Sequence, residues 1–136
     1  MNIVTSKTFK AVATFGLKRG YREELISLKD FKVKLVAAQQ KIHKDLNIQL
    51  SAKVSLCDIV FSGQDEPSLD LSFIQYPKFP NEESLLKDGI LKLVEILMLS
   101  LEQNRVVIVF DDETVMMEVD ADRLNPGIKF YTSCKD

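Results

Sequence analysis

The chain has 136 residues, of which 46% are apolar and 28% charged, with 18 basic against 20 acidic side chains and a net charge of −2. This predicts one globular domain over 1–136, large enough to fold without a disulfide or a metal. It excludes a low-complexity chain and a nucleic-acid binder relying on bulk positive charge. The two cysteines, Cys57 and Cys134, have no CxxC spacing, and the single histidine, His43, cannot build a His-rich metal site. The longest apolar-dominated stretch, Ile90 to Leu101, is interrupted by Lys92, Glu95 and Ser100 and is too short to span a bilayer. No cofactor, metal, membrane or nucleic-acid partner is therefore expected. The N-terminal MNIVTSKTFK does not read as a secretory signal, so a soluble cytoplasmic protein with two free thiols is expected.

A period of two over Thr8 to Leu17 predicts the first strand. A polar loop, Lys18-Arg19-Gly20-Tyr21-Arg22-Glu23-Glu24, follows it. Ser27 three residues before Asp30 marks a helix start, and Leu28, Phe31, Leu35, Ala38, Ile42 and Leu46 recur at helical spacing up to Asn47. From Ile48 the alternation returns to that of a strand. Its phase changes between Leu56 and Ile59, which predicts a bulge near Cys57–Asp58. Residues 62–68 read as a turn, Leu69 to Phe73 as a third strand, and Pro77 and Pro80 as its stop.

Asn81 is the predicted cap of a second helix reaching about Gln103. Its apolar residues spread widely, with Leu91, Met98 and Leu99 among charged neighbours, which calls for a second contact surface or a tail folded over them. Arg105 to Phe110 is a continuous apolar run, as in a strand covered on both faces. Asp111-Asp112-Glu113 turns the chain, Thr114 to Val119 forms a short strand, and a brief apolar piece recurs at Ile128–Tyr131.

The order predicts an α+β fold of two βαβ units, in which a four-stranded mixed sheet carries two helices on one face. The other face, with Val12, Thr14, Ser51, Lys53, Ser55, Asp70 and Ser72, would be bare and mostly polar. Gly63-Gln64-Asp65-Glu66-Pro67, the strand Leu69 to Phe73, a helix, and Asn104-Arg105-Val106-Val107-Ile108 together resemble the second half of the tautomerase superfamily, that of macrophage migration inhibitory factor. The alternative arrangement is ferredoxin-like, and strand order separates the two.

The resemblance implies a homotrimer whose bare sheet faces line a central barrel, and catalysis by an N-terminal proline. Asn2 follows Met1 and no proline precedes Pro67. The chain therefore reads as a relative without proline-based tautomerisation that binds a small carboxylate at a subunit boundary. The alternatives are an isomerase using another base, for which Lys7 and Lys10 are the candidates, and an oligomeric protein-interaction module. The carboxylate site would use Arg19 and Arg22 as guanidinium clamps with Tyr21 as a flat wall. Trimer contacts would include pairing of Thr114–Val119 with a neighbouring copy. Cys57 reads as a small buried thiol, His43 as a solvent-exposed helical residue, and Asp111 to Glu113 as a solvated hairpin tip.

Overall fold

The computed structural model describes residues 1–19 and 23–119, and the backbone of 128–131. Its elements are β1 (Lys10–Gly16), α1 (Leu28–Leu46), β2 (Lys53–Phe61), β3 (Gln64–Ile74), α2 (Glu83–Ser100), β4 (Arg105–Phe110), β5 (Thr114–Val119) and β6 (Ile128–Tyr131). They make an α+β domain in which one sheet, ordered β2-β3-β1-β4-β5-β6, carries the two helices on one face.

Both βαβ units are present. β1 is antiparallel to β3 and β3 to β2, so β1 and β2 run the same way, and by the same reasoning so do β3 and β4. In each unit, however, a strand of the other unit lies between the pair. This is the ferredoxin-like order of the two arrangements weighed above. Adjacent strands are consequently all antiparallel rather than mixed, and β5 and β6 extend four strands to six. The cause is local. Ser62 and Gly63 both take positive φ, 51° and 77°, in a two-residue hairpin turn that fixes β2 beside β3 and leaves the other edge of β3 to β1.

The same hairpin corrects two expectations. The register of β2 on β3 is unbroken from Lys53↔Ser72 to Phe61↔Gln64, so there is no bulge at Cys57–Asp58. The change of phase has another origin: Cys57, Ile59 and Phe61 face away from the helices, and Phe61 is 76% exposed. Residues 64–68 belong to β3 rather than to a turn. Pro67 is tolerated because it lies just past the last β1 pair, Gly16↔Ser68, where its carbonyl still accepts from the Leu17 N–H at 3.0 Å.

The core lies between the sheet and the helices. Ala11, Ala13 and Phe15 of β1, with Leu69, Leu71 and Phe73 of β3, pack against Phe31, Leu35 and Ile42 of α1 and Ile90, Leu93 and Leu97 of α2. The Phe15 and Phe31 rings meet edge to face at 5.3 Å. α1 begins as read from the sequence, with the Ser27 hydroxyl accepting from the Asp30 N–H at 3.0 Å, and ends at Asn47 in the left-handed region. α2 begins differently. Its cap is Glu82, because the backbone of Asn81 is already held by the side chain of Gln75, at 2.9 Å on its N–H and 2.8 Å on its C=O.

Two further expectations are corrected at the other end of the sheet. β4 is covered on one face only: Val106, Ile108 and Phe110 are buried, while Val109 is 51% exposed. β5 has no free edge for a neighbouring copy, since β4 and β6 pair with its two sides. Of the extra apolar residues on α2, Met98 belongs to the core, Leu91 packs at its margin and Leu99 is exposed.

Candidate functional site on the open sheet face

Register fixes which side chains share the uncovered face. One row runs Ser55, Asp70, Thr14, Val107, Met116, and the next runs Lys53, Ser72, Val12, Val109, Thr114. In these rows the β2–β3–β1 side is polar apart from Val12 and the β4–β5 side largely apolar, while nearer the Ser62–Gly63 turn Ile59 and Phe61 share the face. Among the described residues it is the polar half that gathers reactive groups.

Asp70 sits at its centre. The Thr14 hydroxyl donates to Asp70 Oδ1 at 2.6 Å, a short bond to a charged acceptor that fixes the carboxylate on the sheet. Cys57, on the neighbouring strand β2, faces the same surface. Burial pushes the Cys57 pKa up first, and the charges of Asp70 and Asp58 add to it. A thiol so placed stays protonated at neutral pH, which suits it to donating a hydrogen bond and not to nucleophilic attack.

A second carboxylate, Glu66, lies two pleat repeats along β3 from Asp70. A Cβ on Gly16 would come within 2.7 Å of Glu66 Oε1, so the absent side chain at Gly16 leaves the space that Glu66 uses over the sheet. The buried Ser68 lies between them in register and donates its hydroxyl to the Glu66 carbonyl at 3.1 Å. Gln103, just beyond α2, donates its amide to the Lys18 carbonyl at 2.8 Å and ties the end of β1 to the end of that helix. Two carboxylates, two hydroxyls and a protonated thiol on adjacent strands form a surface that accepts hydrogen bonds and attracts cations.

The residues singled out from sequence fall elsewhere. Arg19 lies past the end of β1, its guanidinium facing Glu24 at 3.7 Å and Glu102 at 3.4 Å, so two carboxylates of the chain already occupy it. Tyr21 and Arg22 lie outside the described residues. Lys7 is exposed and 3.6 Å from Glu83, and Lys10 is exposed with its backbone N–H on Asp111 at 3.0 Å. The acidic turn meets Lys87, whose ammonium contacts Glu113, lies 3.8 Å from Asp112 and sits 4.9 Å above the Phe110 ring. Among the described residues no group of three potential ligands is placed to hold a metal, and no helix is long and apolar enough to cross a membrane. Thr14 and Asp70 were legible as bare-face residues from their alternation. Glu66 was not, because the segment carrying it reads as a turn.

The sequence matches no protein-family model and no curated protein. The fold is similar to solved structures of a small α+β phage enzyme. One is a phage SAM lyase in complex with S-methyl-5'-thioadenosine, at a TM-score of 0.56 and 18% identity, covering 98% of this chain and 95% of that one. Another is a phage SAM lyase in the apo state, at a TM-score of 0.58 and 16% identity, covering 94% of this chain and 91% of that one.

Proposed function

We propose that this chain binds S-adenosylmethionine on the open sheet face and cleaves it there, releasing S-methyl-5'-thioadenosine. The observation that carries the reading is the likeness of fold to a SAM lyase across 98% of this chain and 95% of the other. The chemistry of the face supports it. S-adenosylmethionine presents a sulfonium and an ammonium, and Asp70 and Glu66 supply carboxylates on adjacent parts of one polar surface. When the bond from sulfur to the aminobutyryl carbon breaks, sulfur keeps the electron pair and becomes a neutral thioether. The carbon fragment leaves after losing a proton or closing on its own carboxylate. In this reading Asp70, held by Thr14, orients the ammonium, and Glu66 faces the sulfonium end.

The apolar half of the same face, with Val107, Val109 and Met116, is where copies of the chain meet in the homotrimer we propose. The site then lies at a subunit boundary. The test is to incubate the protein with millimolar S-adenosylmethionine and follow S-methyl-5'-thioadenosine by chromatography above the substrate's own slow decay. Turnover should fall at least tenfold in Asp70→Asn and in Glu66→Gln, about the loss of one charged hydrogen bond. A parent protein that forms no product above background overturns the reading. Light scattering checks the trimer separately.

A further inference from the structure

A second cavity lies away from the open face, at the end of the sheet where α1 stops. It is a cleft of about 590 Å³ between the last turn of α1, the extended segment 48–51 and the loop leading into α2. This is within the range of small-molecule sites. In a chain where 28% of residues are charged, no Asp, Glu, Lys or Arg lines it. Its polar residues include His43, Ser51 and the amides Asn47, Gln49 and Asn81, and its aromatic wall is Tyr76 with Phe79.

The wall is built and held. The Tyr76 and Phe79 rings are stacked 15° from parallel with centroids 5.9 Å apart, and the Phe79 N–H donates to the Tyr76 carbonyl at 3.1 Å. Gln75, almost fully buried, closes the loop by bonding both backbone groups of Asn81 at its far end. This clamp displaces Asn81 from the helix-cap role its sequence position favours. The two rings remain 53% and 67% exposed although the loop is pinned at both ends. Large flat surfaces kept in the open on a fixed loop are positioned for a ligand ring, since stacking on an already ordered platform loses little conformational entropy.

We infer that this cleft binds a neutral purine nucleoside. A nucleobase has a flat π-face for Tyr76 and Phe79 and mixed donor and acceptor edges for amide side chains, which present both on one group. No Lys or Arg lines the cleft to neutralise a phosphate; the nearby cation, the Lys78 ammonium, lies 5.9 Å from the Phe79 ring centroid and outside the lining. This site does not rest on the lyase reading, which concerns the opposite face of the sheet.

The experiment is titration of the ¹⁵N-labelled chain with adenosine and, separately, with AMP. Adenosine at millimolar concentration should move backbone signals of residues 47–51 and 76–81. AMP should bind no more tightly than adenosine. Tyr76→Ala and Phe79→Ala, both at exposed positions, should keep the dispersed spectrum of a folded chain and weaken adenosine at least fivefold, the low end of what one base–aromatic stack contributes. Absence of binding, signals moving on β1 and β3 in place of the cleft, tenfold tighter AMP, or alanine variants that bind like the parent would each overturn the assignment. Consumption of S-adenosylmethionine is measured apart, so loss of either result leaves the other standing.

Discussion

The two faces of the sheet are built from the same strands, yet they obey different rules. Toward the helices, every second residue of β1 and β4, and of β3 from Leu69 to Phe73, is apolar and buried, from Ala11 to Phe110. Toward solvent, the intervening residues divide into a polar half around Asp70 and an apolar half around Val107 and Val109. The covered face is specified by volume, because a close-packed interior responds to each methylene. The open face is specified by charge and hydrogen bonding, and its side chains have room to adjust. One strand therefore carries a stability code and a chemical code at alternating positions.

Adjacent substitutions on β3 test this most strongly. Leu71→Ala, on the covered face, should lower unfolding free energy by about 2–5 kcal/mol. Its neighbour Ser72→Ala should change it by less than about 0.5 kcal/mol in the same urea titration. A comparable loss at both positions breaks the contrast. On the open face itself, Thr14→Val removes the donor to Asp70 and should cost about 1.5 kcal/mol, the low end for a hydrogen bond to a charged group because Asp70 remains partly solvated.

The two glycines give a smaller paired test. At Gly89 a Cβ would come within 2.5 Å of Ile48 Cδ1, a buried side chain. Overpacking of about 1–3 kcal/mol outweighs the roughly 1 kcal/mol that alanine contributes in a helix, so Gly89→Ala should destabilise. At Gly16 the atom in the way is the far end of the exposed Glu66 side chain, which can swing aside. Gly16→Ala should leave melting nearly unchanged while moving Glu66 off the sheet, visible as lost S-adenosylmethionine turnover. The exposed pair Arg105–Glu118, 2.6 Å at its shortest, should contribute at most about 1 kcal/mol when Arg105→Ala is measured, less in high salt.

The mildest test is read by reactivity. The Cys57 pKa is raised above its ordinary value of 9.0, so the folded state holds the thiol proton more tightly than the unfolded one. That contribution is full below the ordinary pKa and fades as pH rises through the folded value. In a Cys134→Ser background, alkylation of Cys57 at pH 8 should be slower in the native protein than in urea. It should speed up in Asp70→Asn, which removes the repelling charge. Equal rates in the parent and Asp70→Asn would separate Cys57 from the acidic cluster.

Periodicity made the covered face legible. The residues that alternate in β1 or recur at helical spacing in α1 are those the core buries, and Ser27 and Asn47 end α1 as their chemistry requires. Strand order was harder to read, because two βαβ units satisfy the same local pattern whether their strands are neighbours or interleaved. What decides it is the tight turn at Ser62–Gly63, within a polar stretch that reads as a longer loop. For the same reason Glu66 was hidden while Thr14 and Asp70 were visible. Arg19 stood out as a cation beside an aromatic, but Glu102, one of its two carboxylate partners, comes from 83 residues away and is not visible in the local sequence.

The place of β1 in the sheet has a consequence for synthesis. As the polypeptide leaves the ribosome, α1 and the β2–β3 hairpin emerge with most of their own partners close by in sequence. β1 is different: its second flank must wait for β4, and the Lys10 N–H bonds a carboxylate 101 positions later. Until that stretch is made, a strand with an unsatisfied edge is available to any neighbouring nascent chain, the condition under which domains exchange strands or aggregate. Closing so distant a contact is slow for any chain. β1 is made before the other described strands, yet it is among the last of them to be secured.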